Sequence, residues 1–488
     1  MSDFTDLVDL ASERLGGAVL AANDEFFAPK ENLLKAHAAV WKEGEYTDVG
    51  KWMDGWETRR RREPGFDWCL VRLGLPGLVH GVVVDTSFFR GNYPESCSLE
   101  ACALDGHPSP ADLLAAAWTE ILPRVPLQGN AKNLFPLERR SGRITHLRLS
   151  IYPDGGVARL RVHGEAVPDW PRLLRRQSEI DLAGVENGGA VLSCSDMFFG
   201  NRHNLILPGP SLGMHDGWET KRRRGPGHDW AIVRLATRAA LRRVEVDTSH
   251  FKGNAPGSCS IEACDAPAST GDQVAAEGFS GWREILPPTP LRPHTRHLFD
   301  DLAAAGPFTH ARLNIFPDGG VARLRLFGTV TPIDWLNALP GEAAEAALLA
   351  CCGSRVWARR MVVGRPYRDR ADLVRISDGV WWSLAAEDWL EAFRAHPRIG
   401  EKGGRWSEQE QAGARGARPE VLADLVAANR RYEERFGHLF IVCATGKSAA
   451  EMLALLQERI GQDPASELRT AAEEQRKITH LRLEKLLP

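Results

Sequence analysis

The 488-residue sequence predicts a multidomain protein with two all-β sandwiches in tandem followed by an all-α domain. Three observations carry this. The first is an internal repeat: "DGWETRRRR" at Asp54 returns as "DGWETKRRR" at Asp216, "VDTSFFRGN" at Val84 as "VDTSHFKGN" at Val246, and "SCSLEAC" at Ser96 as "SCSIEAC" at Ser258, each 162 residues on. "YPDGGVARLRVHG" at Tyr152 returns at Phe316 as "FPDGGVARLRLFG", 164 residues on. The second is period-two alternation of apolar residues inside each copy, and the third is a switch to three- and four-residue spacing behind it. The expected boundaries are 1–170, 171–334 and 335–488.

Within each copy apolar residues alternate between turn signals, as in "DWCLVRL", "HGVVVDTSFF" and "THLRLSIYPDGGVARLRVHG" of the first, the pattern of half-buried antiparallel strands. "YPDGG" reads as a hairpin turn, with Pro fixing one φ and Gly accepting a positive one. Trp218 in the repeated motif reads as a packing residue. Behind "TVTPIDWLNALPG", the segments "RPEVLADLVAANRRYEERFG", "SAAEMLALLQERIG" and "ASELRTAAEEQRKITHLRLEKLL" carry helical periodicity, and Gly closes two of them. Five to eight helices are expected there.

Composition narrows the function. Hydrophobic content of 43% and charged content of 26% are those of a globular protein, and the formal charge of −3 sets the arginine runs on a balanced background. No nucleic-acid partner is expected. The acidic amino terminus lacks the features of a signal peptide, and no apolar run is long enough to span a membrane. The nine cysteines, without a C-x-x-C pair, fit free thiols in a reducing cytoplasm.

The densest chemistry lies in "EAFRAHPRIGEKGGRWSEQEQAG". His396 precedes Pro397, which favours a bend there. Ser407, Glu410 and Gln411 would share one face of a helix, a spacing that also fits an ordinary capping box. With "RFGHLFIVCATGKSAAEML" and the closing "THLRL", this segment resembles the OHCU decarboxylase family, which decarboxylates 2-oxo-4-hydroxy-4-carboxy-5-ureidoimidazoline (OHCU) to (S)-allantoin in urate breakdown. The carrying motifs are H-P-x-I-G at His396 to Gly400, S-x-x-E-Q at Ser407 to Gln411 and R-F-G-x-x-F-x-x-C-A at Arg435 to Ala444. The resemblance implies His396, Glu410 and Arg482 as catalytic residues. It also implies Pro397, Ser407, Glu408, Gln409, Gln411, Phe440, Ile441, Val442, Cys443 and Ala444 as substrate-binding ones, with no cofactor, since the substrate's conjugated ring can delocalise the charge left by CO2.

The paired β units resemble the allantoicase family, which hydrolyses allantoate to (S)-ureidoglycolate and urea. "KWMDGWETRRRREPGFDWCLVRLG" with "GMHDGWETKRRRGPGHDWAIVRLA", "DTSFFRGN" with "DTSHFKGN", and the two "PDGGVARLR" strings carry the likeness. It implies two jelly rolls of galactose-binding-like fold. Where the first copy has Met53, Phe66, Phe88 and Asn130, the second has His215, His228, His250 and His294, so the second is expected to hold the polar chemistry and the first to lean towards scaffold. The candidates are Asp216, Glu219, Arg222, His228, Asp247, His250 and Lys252, with His215 and His294 beside them. A divalent metal fits the resemblance without a ligand spacing to prove it. A sugar-binding pair of jelly rolls is the rival, disfavoured because these motifs are acidic and basic rather than aromatic. The resemblances together imply a bifunctional enzyme of purine catabolism acting on small molecules, assembled as a homo-oligomer. Its two steps are not consecutive, so no channelling is implied.

Overall fold

A computed structural model of the chain describes residues 4–137, 142–176, 178–267, 269–276, 278–304, 306–339, 341–396 and 419–487. Its contacts fall into two units, Met1–Asp169 with Glu179–Thr329, and Trp170–Ser178 with Val330–Pro488. The segment between the β repeats, including helix Trp170–Arg176, thus packs with the helical unit.

Each β repeat is organised around one 19-residue strand that serves both layers of a sandwich. In the first repeat this is Asp67–Asp85. Its first half pairs with Ala18–Ala22 on one edge and Ile144–Tyr152 on the other, and the layer continues through Ser96–Cys102 to Thr119–Pro126. Its second half pairs with Arg159–Ala166 and Lys132–Pro136, with Val8–Asp9 at the outer edge. "LGLPG" supplies the bend, because Gly74, Pro76 and Gly77 weaken the ladder where the strand changes layer. In the second repeat Asp229–Asp247 does the same, pairing first with Ala190–Cys194 and Phe308–Phe316, then with Arg323–Thr329 and Arg296–Phe299. All these pairings are antiparallel, and the inward side chains of the first repeat, Val71, Leu99 and Leu149 from one layer and Val82, Val84 and Leu160 from the other, meet in a single core.

The hairpin expected at "YPDGG" is not one. Ile144–Tyr152 and Arg159–Ala166 pair with different halves of Asp67–Asp85 and not with each other, so the turn is a corner at which the chain crosses between layers. Its glycines are required by close approach: a Cβ on Gly155, at φ +136, would lie 2.7 Å from the Pro94 nitrogen, and one on Gly156 would lie 2.0 Å from the Phe89 ring.

That corner is held by a buried ion pair. Arg159, the first arginine of "GGVARLR", is 1% exposed and donates to Asp54 Oδ2 at 2.6 Å and to the Asp54 carbonyl at 2.9 Å. Burial opposes ionisation of Asp54, but the hydrogen bonds from Arg159 and the Val40 amide outweigh it and hold the carboxyl below its usual range. Asp216 and Arg323 form the matching pair at 3.0 Å. The second cation differs: Lys35 reaches Asp54 at 3.4 Å, whereas Leu207 stands in the aligned place, and Asp216 is met by Arg14 of the first repeat.

The helical unit comprises Pro332–Ala338, Gly341–Cys352, Arg355–Val363, Arg370–Trp382, Ala386–Arg394, Pro419–Phe436, Ala449–Arg459 and Pro464–Leu486 among the described residues. In the last of these, Glu467, Ala471, Gln475, Ile478, Arg482 and Leu486 form a buried stripe at helical spacing, which carries Arg482 inward. Glu467, with no exposed surface, is met by Arg459 at 2.5 Å and by the Tyr432 hydroxyl.

The buried charges of the β unit can be tested directly. Asp54→Ala strands a buried guanidinium and should cost about 3–5 kcal/mol in chemical unfolding; a loss smaller than about 1 kcal/mol would show that the pair does not hold the corner. His310 is 3% exposed, and burial, with Arg234 second, pushes its pKa from 6.5 down to about 4. The unfolded chain therefore takes up a proton that the folded chain refuses, so the stability that neutral His310 contributes is complete above pH 6.5 and is lost as pH falls towards 4. The unfolding midpoint should drop as pH falls through that window, and should drop less in His310→Gln.

Candidate functional site

In each repeat the strand formed by Trp56–Glu57 or Trp218–Glu219 turns successive side chains to opposite sides. Trp56 and Trp218 are fully buried, their indole N–H groups donating to the carbonyls of Asp24 and Asp196 at 2.8 Å. Thr58 and Thr220 close on the carbonyls and amides of Gly155 and Gly319. The third cation of each run turns inward, Arg61 to Asp67 and Arg223 to Asp229. Asp54, Trp56, Thr58 and Arg61 are therefore committed to closing the sandwich, and Glu57 is left facing a cavity.

That cavity, about 540 Å³, lies in the first repeat and is lined by Trp41, Lys51, Glu57, Phe88, Arg90 and Asn92 among others. The Asn92 amide donates to Glu57 Oε1 at 2.7 Å. Burial, only partly offset by that hydrogen bond, pushes the Glu57 carboxyl up. Phe88 sits at φ +71, an uncommon place for a bulky residue, with its amide held by Asn130 Oδ1 at 2.8 Å. Trp41 packs on Phe88 at 5.7 Å, and the Lys51 ammonium lies 4.1 Å from the Trp41 ring centroid.

Trp41 and Lys51 belong to a stretch that the second repeat lacks. Leu34 aligns with Ile206, 172 residues on, but Asp54 aligns with Asp216, 162 on, so the first repeat carries ten more residues between these points. They include the small hairpin Tyr46–Thr47 with Gly50–Lys51. Position-by-position matching of the repeats passes over this stretch and Lys51 with it, whereas Glu57, Arg90 and Asn92 lie within the matched strings, where the histidines of the second copy drew the expected site to Glu219 and Lys252 instead. The change of offset was the available signal.

Several of the second-repeat candidates occupy supporting places. Asp216 is spent on Arg323 and on the Leu212 amide, and Asp247 caps the Ser249 amide at 2.8 Å, as Asp85 caps Ser87. His228 packs on Phe316 at 4.7 Å where Phe66 packs on Tyr152 at 5.1 Å, and it meets Asn314 Oδ1 at 3.3 Å. His294 Nδ1 accepts the His250 amide at 2.8 Å, the part Asn130 plays for Phe88. His250 and His294 share the left-handed angles of Phe88 and Asn130. The structure does bring Glu219 to Asn254 at 2.6 Å, with His250 Nε2 on the Ser211 carbonyl at 3.0 Å. His215 and Lys252 are exposed and Arg222 is exposed in its run. No group of three or more His, Cys, Asp and Glu gathers as a metal-ligand set among the described residues.

In the helical unit, half-buried His396 follows helix Ala386–Arg394, its amide donating to the Phe393 carbonyl at 3.1 Å. Pro397, Ser407, Glu408, Gln409, Glu410 and Gln411 lie outside the described residues. Phe440, Ile441, Val442 and Ala444 are buried and Cys443 is half-buried, in a segment without regular structure whose backbone groups must find other partners. Arg459 donates to the Ile441 carbonyl at 2.9 Å, Lys447 Nζ to the Cys443 carbonyl at 2.7 Å, and the Cys443 amide to Glu474 at 2.8 Å. Burial works against the charge on Glu474, but Lys477 and that amide hold its carboxyl low. The segment is thereby tied to the helix carrying Arg482, and the contact of His438 with Phe393 ties it to the helix that ends before His396. Glu474 and Lys447 are not among the expected residues, since Lys447 falls just beyond the R-F-G-x-x-F-x-x-C-A motif and Glu474 lies in a stretch marked only by helical periodicity.

Comparison with known proteins matches residues 8–167 and 180–331 to the allantoicase repeat family and residues 337–484 to the OHCU decarboxylase family. A probable allantoicase of Stutzerimonas stutzeri (strain A1501) is 50% identical over 329 residues, 67% of this chain and 97% of the relative. One of Pseudomonas aeruginosa (strain UCBPP-PA14) is 49% identical over 328 residues, with the same coverage. The crystal structure of allantoicase from Saccharomyces cerevisiae has a TM-score of 0.56 at 35% identity, covering 66% of this chain and 92% of that one. The chain belongs to the allantoicase family through its paired β repeats, and it carries an OHCU decarboxylase region fused behind them.

Proposed function

We propose that this is a bifunctional enzyme of purine catabolism, hydrolysing allantoate to (S)-ureidoglycolate and urea in its β unit and decarboxylating OHCU to (S)-allantoin in its helical unit. The observation that carries it is that two families match adjacent stretches that together span most of the chain. In the helical unit His396 moves the proton and Arg482 meets the substrate's carboxylate or ureido group. The buried segment Phe440–Ala444 forms a wall, and Glu410, Ser407, Gln411 and their neighbours hold the polar ring edge. Loss of CO2 leaves charge that the substrate ring delocalises, so the protein's part is orientation, proton transfer and exclusion of water. Seven of the nine cysteines are buried and none is disulfide-bonded, which supports a reducing cytoplasm. No described helix is long and apolar enough to cross a membrane.

The full-length chain tests this by double dissociation. His396→Ala should lower decarboxylation by roughly a hundredfold or more and leave urea release from allantoate intact. Near-normal decarboxylation in that variant would remove His396 from the mechanism, and a wild-type chain lacking either activity would overturn that half of the reading.

A further inference from the structure

We propose that allantoate is bound and cleaved in the first-repeat cavity, with Lys51 and Arg90 holding its carboxylate and Glu57 protonating the departing urea nitrogen. This rests on the allantoate-hydrolase reading and places its chemistry in the repeat that the histidine count had marked as scaffold.

The cavity suits the substrate in size and charge. At about 540 Å³ it falls within the range of small-molecule sites, roughly 300–1,000 Å³, and allantoate is a small anion. The Arg90 side chain is exposed and makes no hydrogen bond or ion pair among the described residues, and the Lys51 ammonium rests on an aromatic ring rather than on a carboxylate. Both cations are thus available to an incoming anion, and a guanidinium can take a carboxylate through two parallel bonds. Asn92 fixes Glu57 from one side, leaving its other oxygen for the ligand. Burial keeps a proton on this carboxyl to higher pH than on an open glutamate, as a general acid requires.

The chemistry balances on Glu57 alone. The bond between the central carbon and one ureido nitrogen breaks with its electron pair going to that nitrogen, which takes the Glu57 proton and leaves as urea. The nitrogen of the remaining ureido group shares its lone pair with the central carbon, forming a carbon–nitrogen double bond. Water then adds to that carbon and gives its surplus proton to the Glu57 carboxylate, which restores the acid and yields ureidoglycolate.

The second repeat keeps the glutamate–asparagine pair in Glu219 and Asn254 but lacks the ten residues that bring Trp41 and Lys51. Ser211 and Met214, on its shorter connection, approach His250 and Asn254 instead.

The experiment uses the full-length protein and follows urea release from allantoate, with decarboxylation by the same chain as the measure of intact protein. Glu57→Gln keeps the shape and the Asn92 contact, and should lower kcat by roughly a hundredfold or more. Arg90→Ala, a change at an exposed side chain, should raise KM by roughly tenfold with a smaller effect on kcat. Urea release in Glu57→Gln within about threefold of wild type, far short of the loss that removing a general acid brings, overturns the site while leaving the functional reading standing. Loss of urea release in Glu219→Gln but not in Glu57→Gln does the same. A wild-type chain that releases no urea overturns both.

Discussion

The β unit depends on a charge pair that water does not reach. Asp54 with Arg159, and Asp216 with Arg323, tie the "DGWET" segment to the strand that leaves the "PDGG" corner. A buried pair of this kind contributes little net stability against an apolar alternative, but each partner makes the other compulsory. It also fixes direction. With Asp54 and Trp56 anchored inward, the alternation of a strand leaves Glu57 pointing the other way, towards Asn92 and the cavity.

Duplication allowed the two repeats to keep this device and to differ around it. Where the first copy satisfies the Phe88 amide with an asparagine oxygen, the second satisfies the His250 amide with a ring nitrogen, at the same pair of left-handed backbone angles. Where the first has Lys35 beside its buried aspartate, the second borrows Arg14 from its neighbour. Changes of side-chain chemistry at aligned positions therefore report on how a common packing or hydrogen-bonding requirement is met as much as on catalysis, and His228, packed on Phe316 where Phe66 packs on Tyr152, belongs to the same pattern.

The fold class was legible because repetition and period-two alternation are local signals, and the helices because their periodicity runs over many turns. The corner at "YPDGG" was not. Its turn residues are those of a hairpin, and only the pairing of the flanking strands with opposite halves of Asp67–Asp85 shows that the chain changes layers. The cavity was missed for a related reason. Glu57 and Asn92 lie 35 residues apart in sequence, and Lys51 comes from a stretch with no counterpart to be compared with. In the helical unit, Phe440–Ala444 could be named from a motif, but the residues that satisfy its backbone could not.

The two units present their buried polar surfaces by opposite means. In the β unit regular strands satisfy the backbone, and the proposed site is built from side chains such as Glu57 and Asn92 together with the inserted connection that carries Lys51. In the helical unit an irregular segment is itself buried, and Arg459, Lys447 and Glu474 must supply the partners that a helix would have found within itself. Those three charges are structural in origin, yet they fix where the peptide groups of Ile441 and Cys443 stand. A substrate resting against that wall would therefore sense substitutions at Glu474 or Lys447 through the backbone, without touching either side chain.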